Sequence, residues 1–388
     1  MATTPVASEA YAKSVRDEIR RKVKEKMGGR SATYKEPMTP EATPSPKKKA
    51  SPSYFCSADD DVLPAPEGKV RLSSLIPSWD IAKGTLDPWV TVHDRAQYTE
   101  DASAMVPVVD PVYLPNQESI ALLAHALENT DVPSWLTGPP SVGKTSVVRY
   151  LCAITNRPFY RINFNGHTST EDVLGSLDLR PSPDGSGTVT EWHDGIIPTA
   201  MRTPNAVMLL DEPSAGTAEV QMTLQATLER GGYLMLTSKP GSVAERTVKP
   251  APGMRWVMAD NTTGQGDMSG RFVGTSPQNA AWLDRVGTFV TVNWLHAADE
   301  SKMLQGMYPE VTSTFTDKVV NVAGLLRQAM EQGTVNTVMS MRVTQAWCQH
   351  AAILRDVRQA FILSYVNRID DPAERDAVME VYRNVFGS

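Results

Sequence analysis

LTGPPSVGKTS, residues 136–146, decides how this chain of 388 residues is read. Gly138, Gly143, Lys144 and Thr145 fit the spacing Gly, four residues, Gly-Lys-Ser/Thr of a phosphate loop. Glycines let such a loop bend until successive backbone N–H groups converge on phosphate oxygens. The run Gly138, Pro139, Pro140, Ser141, Val142, Gly143, Lys144, Thr145 and Ser146 is therefore expected to cradle the phosphates of ATP. Lys144 is expected to neutralise the β- and γ-phosphates, and the Thr145 hydroxyl to bind Mg²⁺. The context agrees. SWL before the loop reads as a strand end. TSVVRYLCAIT after it reads as a helix, whose N-terminus favours an anion.

About sixty residues on, VMLLDEPSAG (207–216) is an apolar strand that ends in Asp211 and Glu212. Open α/β sheets place their chemistry at the carboxyl ends of strands. Asp211 is expected to hold the Mg²⁺ shell, and Glu212 to orient and polarise the attacking water. A further strand, MRWVMADN (254–261), ends at Asn261, whose side chain can reach toward the γ-phosphate.

Length allows one or two domains plus tails, with ample apolar content for a full core. No run approaches the roughly 18 apolar residues of a membrane span, and the N-terminus lacks a signal-peptide pattern. Cys56, Cys152 and Cys348 are far apart, which fits a reducing cytoplasm and argues against structural zinc. Residues 1–50 hold twelve Lys/Arg against six Asp/Glu, whereas the whole chain has a net charge of −6. The body is therefore acidic, which argues against a general nucleic-acid surface.

Residues 1–53 read as a tail: a basic helix over 12–27 with Val15, Ile19, Val23 and Met27 four apart, then a Pro/Ser/Lys linker. Residues 54–105 form an irregular extension. From 106 to 296 the pattern becomes α/β. A helix is expected over 118–129 and strands at 133–137, 159–165, 207–211, 254–261 and 287–294, giving a mostly parallel five-stranded sheet. Two excursions, 178–195 and 231–250, read as insertions, the second a hairpin candidate. Residues 297–388 read as all-helical.

This constellation resembles the AAA+ P-loop ATPases and, within them, the MoxR group. Inside that group it is most similar to CobS, the ATPase subunit of aerobic cobaltochelatase. The likeness covers residues 106–388 and is carried by GPPSVGKTS, RPFYRINFNGHTSTEDVLGS, WHDGIIPTAM, MLLDEPSAG with LERGGYLML, MADNTTGQGDMSGRFVGTSPQNAAWLDRV, SMRVTQAW and the C-terminal FILSYVNRIDDPAERDAVMEVYRNVFG. The resemblance implies that Asn261 is sensor 1. It implies that Arg285 in LDRV is an arginine finger reaching the neighbouring subunit, and that Arg342 in SMR is sensor 2 on a helical lid. It also implies a homo-oligomeric ring, expected to be a hexamer, and a partner with a von Willebrand A (VWA) domain. Val286 replaces the usual aromatic after Asp-Arg, and Met341 the usual proline before Arg342. These departures touch the cobalt substrate more than the ATPase chemistry. Two alternatives stay open: a chaperone-like assembly ATPase, phage or mobile-element encoded, with no chelatase role, and a nucleic-acid motor, against which the acidic body speaks.

Overall fold

The structure, a computed structural model, describes residues 66–80, 84–182, 187–266 and 277–387. The basic helix expected at 12–27, the linker after it and the extension up to residue 65 lie outside the described residues. The described chain divides into two compact units, one ending at Leu295 and the other beginning at His296.

The first unit opens with a small antiparallel pair, β1 (Lys69–Arg71) and β2 (Trp89–Thr91). Its centre is a five-stranded parallel sheet of β3 (Ser134–Thr137), β4 (Phe159–Asn163), β7 (Val207–Asp211), β10 (Arg255–Ala259) and β11 (Thr288–Thr291). The spatial order is β11-β3-β10-β7-β4, so β7 and β10 are interior and β4 is an edge. All five residues of β7 are buried. A central parallel strand covered on both faces needs this unbroken apolar run.

Side chains alternate across the sheet, as the pleat requires. Met208 and Leu210 enter one core with Trp135, Met258 and the helical residues Ile197, Met201, Val220 and Leu224. Val207 and Leu209 enter the opposite core with Leu136, Val257, Ile120, Leu123, Val148 and Leu151. Helices α1 (Gln117–Asn129) and α2 (Lys144–Ile154) cover this second face, and α3 (Ile196–Arg202) and α4 (Ala218–Gln225) the first. Leu72, Ile76 and Val90, from the irregular extension, are buried in the same cluster as α1 and α2.

Both excursions contain antiparallel pairs. β5 (Gly175–Pro181) and β6 (Thr188–Asp194) pair along seven residues each. β8 (Leu234–Met235) and β9 (Thr247–Val248) pair over only two, with a helical turn, Val243–Arg246, between them.

Four strands are shorter than the sequence predicts, β3 by one residue at its start and three others by more. β4 ends at Asn163, where the Phe164 N–H makes the last ladder bond, to the Asp211 carbonyl at 2.9 Å. β10 stops at Ala259, and Asp260 and Asn261 form the turn that follows. β11 spans 288–291, although the flanking N–H groups of Gly287 and Val292 still bond to Pro133 and Thr137.

The second unit is helical throughout: α5 (Ala297–Met307), α6 (Ser313–Glu331), α7 (Met341–Leu354), α8 (Val357–Ser364) and α9 (Pro372–Phe386). Thr312, Asp356 and Asp371 cap three of these helices through their side chains, each accepting a first-turn N–H. Pro372 occupies the first helical position, where its missing N–H costs nothing. An aromatic cluster fills the centre, with the Trp347 and Phe361 rings 4.4 Å apart and those of Tyr382 and Phe386 4.9 Å apart. No helix among the described residues is long and apolar enough to cross a membrane.

Candidate nucleotide site

The parallel register brings the strand ends into line. Ala259 faces both Leu136 and Asp211, and Asn163 faces Asp211. The residues just beyond β3, β7 and β10 therefore meet at one edge of the sheet, where open α/β folds bind ligands. Gly138 leaves β3 at φ +150°, and a Cβ there would lie 2.2 Å from the Val292 carbonyl oxygen. No side chain fits between loop and strand. Gly143 caps α2 at φ 95°, in the left-handed region that glycine enters without a steric cost. Ser141 also has positive φ, at 61°. Val142 is buried and anchors the loop to the core, Pro139 and Pro140 are half-buried, and Ser146 is exposed in the first turn of α2.

The loop closes around Lys144. Its ammonium donates to the carbonyls of Gly138 at 2.8 Å and Pro139 at 3.0 Å, and to Asn261 Oδ1 at 2.8 Å. The Thr145 hydroxyl donates to Asp211 Oδ2 at 3.0 Å. Residues from motifs more than sixty positions apart in the chain are thus in contact. Glu212 follows at φ 54°, ψ 47°, an uncommon conformation for a non-glycine residue. Its N–H bonds to the Ala259 carbonyl at 2.8 Å, and its side chain is exposed. Backbone strain of this kind is held where the surroundings over-determine the position.

The donor set fits Mg²⁺. A hydroxyl and a carboxylate are hard oxygen ligands, and Mg²⁺ takes one or two such groups together with phosphate and water. Among the described residues, no group of three or more His, Cys, Asp or Glu could hold a metal by itself. Gly143, at φ 95°, turns the loop into the N-terminus of α2, where first-turn backbone N–H groups are suited to an anion.

Arg285 and Arg342 have surroundings of their own. Arg285 forms an ion pair with Glu229 and donates to the Ala281 carbonyl, so its contacts are to its own surroundings and not to Lys144 or Asp211. Arg342 belongs to the helical unit, where it is exposed in the first turn of α7. Cys152 is buried, which pushes its thiol up to about 12 and leaves it a packing residue.

Two residues that support the expected site residues from behind were not singled out in the sequence. Arg161 of β4 donates Nε to Asp211 Oδ2 at 2.8 Å, with a second guanidinium nitrogen at 2.6 Å from the same oxygen. Asp260 is 1 % exposed and accepts the N–H of Ser214 at 3.1 Å, of Asn261 at 2.7 Å and of Thr262 at 3.3 Å. It ties the turn after β7 to the turn after β10, and so sets Glu212 against Asn261. The available signals were an Arg in an outward strand position and an acid ending an apolar run.

This fold and loop define a P-loop nucleotide-binding protein of the AAA+ kind. The family described as AAA domain (dynein-related subfamily) matches residues 133–272. The aerobic cobaltochelatase subunit CobS of Sinorhizobium sp is 34% identical over 289 residues, 73% of this chain and 84% of that protein. The chain belongs to the MoxR group of AAA+ ATPases, as a relative of CobS. Midasin of Dictyostelium discoideum is 25% identical over 64% of this chain and 4% of its own length. Among solved structures, a RuvB mutant of Thermotoga maritima aligns with TM-score 0.39 and 11% identity over 68% of this chain and 75% of its own.

Proposed function

We propose that this chain is the repeating subunit of a ring, expected to be a hexamer, that binds ATP–Mg²⁺ and uses hydrolysis to remodel a partner. The observation that carries the reading is the joint contact of Lys144 with Asn261 and of Thr145 with Asp211. In this reading the loop Gly138–Ser146 holds the phosphates, and Lys144 neutralises charge at the γ-phosphate. Asn261 already touches Lys144 and orients toward the same phosphate. Thr145 and Asp211 hold Mg²⁺, which when bound neutralises charge on the β- and γ-oxygens. Glu212 accepts a hydrogen bond from the attacking water, held at its angle by the turn that Asp260 fixes. Arg285 serves as the finger to a neighbouring subunit, and Arg342 acts from the lid, residues 297–388, on the nucleotide domain, 106–296.

The 34% identity to CobS supports a specific form of the reading. A partner bearing a VWA domain receives the conformational work, and cobalt enters a corrinoid held on another subunit. A second reading keeps the ATPase and drops the chelatase. Val286 and Met341, the departures from the resemblance, favour it. Among the described residues, the free and buried cysteines Cys152 and Cys348 support a cytoplasmic setting for both.

Two variants test the site. Lys144→Ala is expected to abolish ATP binding in a titration; unchanged affinity overturns the phosphate-loop assignment. Glu212→Gln is expected to bind ATP normally while hydrolysis falls on the order of 10²-fold or more. Wild-type turnover in that variant would move the water-orienting role to another residue.

A further inference from the structure

We propose that Arg161 is a positioning residue that competes with Mg²⁺ for Asp211, and so sets how much metal the nucleotide site requires. The inference rests on the reading of the phosphate loop as a Mg²⁺-nucleotide site.

One carboxylate oxygen is over-subscribed. Asp211 Oδ2 accepts the Thr145 hydroxyl at 3.0 Å, Arg161 Nε at 2.8 Å and a second Arg161 nitrogen at 2.6 Å. A carboxylate offers about four lone-pair sites over its two oxygens, so three donors exhaust this one. A metal or its coordinated water meets Oδ2 only by displacing a donor. Thr145 is expected to share the metal with Asp211, so of the donors on Oδ2 it is Arg161 that is expected to yield, and a metal taken up on Oδ1 would still compete with the guanidinium for the carboxylate's charge.

The two partners differ in how easily they can separate. The Asp211 side chain is 8 % exposed and that of Arg161 is 46 % exposed. A buried carboxylate is costly without a counter-charge, and Arg161 supplies one. The guanidinium, by contrast, is already half in water and loses little on leaving. Its strand, β4, is the edge of the sheet, so no neighbouring strand blocks the outward side. Arg161 faces Leu209, two residues before Asp211, and therefore reaches the acid diagonally rather than from a directly opposed position. One cation balances Asp211 until another replaces it. A permanent structural pair would show no dependence on the metal.

The test is Arg161→Gln in the full chain, read by equilibrium dialysis of ADP at stepped free Mg²⁺, with no turnover involved. Half-saturating Mg²⁺ is expected to fall about tenfold, while ADP binding without Mg²⁺ stays unchanged. In an Asp211→Asn background the same substitution is expected to shift nothing, because the contested charge is gone. Arg161→Lys keeps the charge without the two-nitrogen contact and is expected to fall between wild type and Arg161→Gln; it also serves if the Gln variant does not fold. A Mg²⁺ midpoint that stays in place or rises in both variants overturns the competition. A wild-type protein that binds no ADP at any Mg²⁺ concentration overturns the nucleotide reading itself, an outcome distinct from the first.

Discussion

Two arginine–carboxylate pairs, one in each unit, are built from the same chemistry to different ends. In the helical unit, Arg327 meets Glu300 through two nitrogens at 2.6 and 2.9 Å, with side chains 7 % and 0 % exposed. Arg327 Nε also donates to the Met339 carbonyl, and Thr344 donates its hydroxyl to Glu300. That pair binds α5, α6 and the start of α7 into one body. At the nucleotide site, Arg161 meets Asp211 with half its side chain in solvent. Burial decides the difference. A fully enclosed pair is costly to open and acts as a fixed joint, whereas a half-open pair can exchange partners. The enclosed network should therefore reveal itself in stability, and the open site in rate and ligand dependence.

The largest effect expected on the open side is at Arg285. As a finger meeting charge in the transition state, its replacement by Ala should lower hydrolysis on the order of 10³-fold or more, with ATP binding nearly unchanged. Mixing Arg285→Ala with Lys144→Ala subunits should recover activity, since some interfaces then pair an intact loop with an intact finger. Mixed rings that form without rescue would make Arg285 a cis structural residue paired to Glu229.

Next in size is Glu300→Ala, which removes the carboxylate that accepts two nitrogens of the buried Arg327 guanidinium. A loss of about 3–5 kcal/mol is expected by denaturant titration. Arg161→Gln should cost less than about 1 kcal/mol in the same assay, because its guanidinium is half exposed. Equal costs would erase the contrast between the two pairs.

The smallest effect expected concerns acid. Burial first, then Arg157, lowers the pKa of His93 to about 4, and its buried Nε2 has no hydrogen-bond partner among the described residues. Free histidine titrates near 6.5. The unfolded chain therefore takes up a proton first as pH falls, and stability should decline from about pH 6.5 to about 4. His93→Asn should flatten that part of a stability–pH profile. Glu128, whose pKa is lowered by Lys69 and Arg157 against the opposing effect of its burial, keeps its stabilising contribution above the ordinary carboxylate range and loses it only as pH falls below that range. An unchanged profile in the variant would place the acid sensitivity elsewhere.

The core of the sheet was legible because β7 and β10 are apolar runs long enough to be covered on both faces, each with a polar exit. The phosphate loop was legible because its glycines and Lys-Thr pair have a fixed spacing. Other parts were hidden for physical reasons. Leu72, Ile76 and Val90 enter the core from a stretch too irregular to show any period. Arg161 occupies the outward phase of an edge strand, where sequence gives no sign that an acid on the next strand lies within reach. Asp260 stands beside Asn261, and only the register with Asp211 shows that its carboxylate spans two turns. The hairpin of β8 and β9 has two paired residues per strand, too few for alternation to mark.

The contact between Gly138 and Val292 has a further consequence. The Val292 N–H is held by Thr137 at 2.7 Å, and its carbonyl presses where a Gly138 side chain would be. Val292 directly follows β11, and Arg285 lies seven positions earlier, just ahead of the strand. In the proposed ring, a shift of the phosphate loop would be passed along this short strand toward Arg285, the residue proposed to serve the next subunit's nucleotide. Signals in such a ring would travel in one rotational sense, by a relay one strand long.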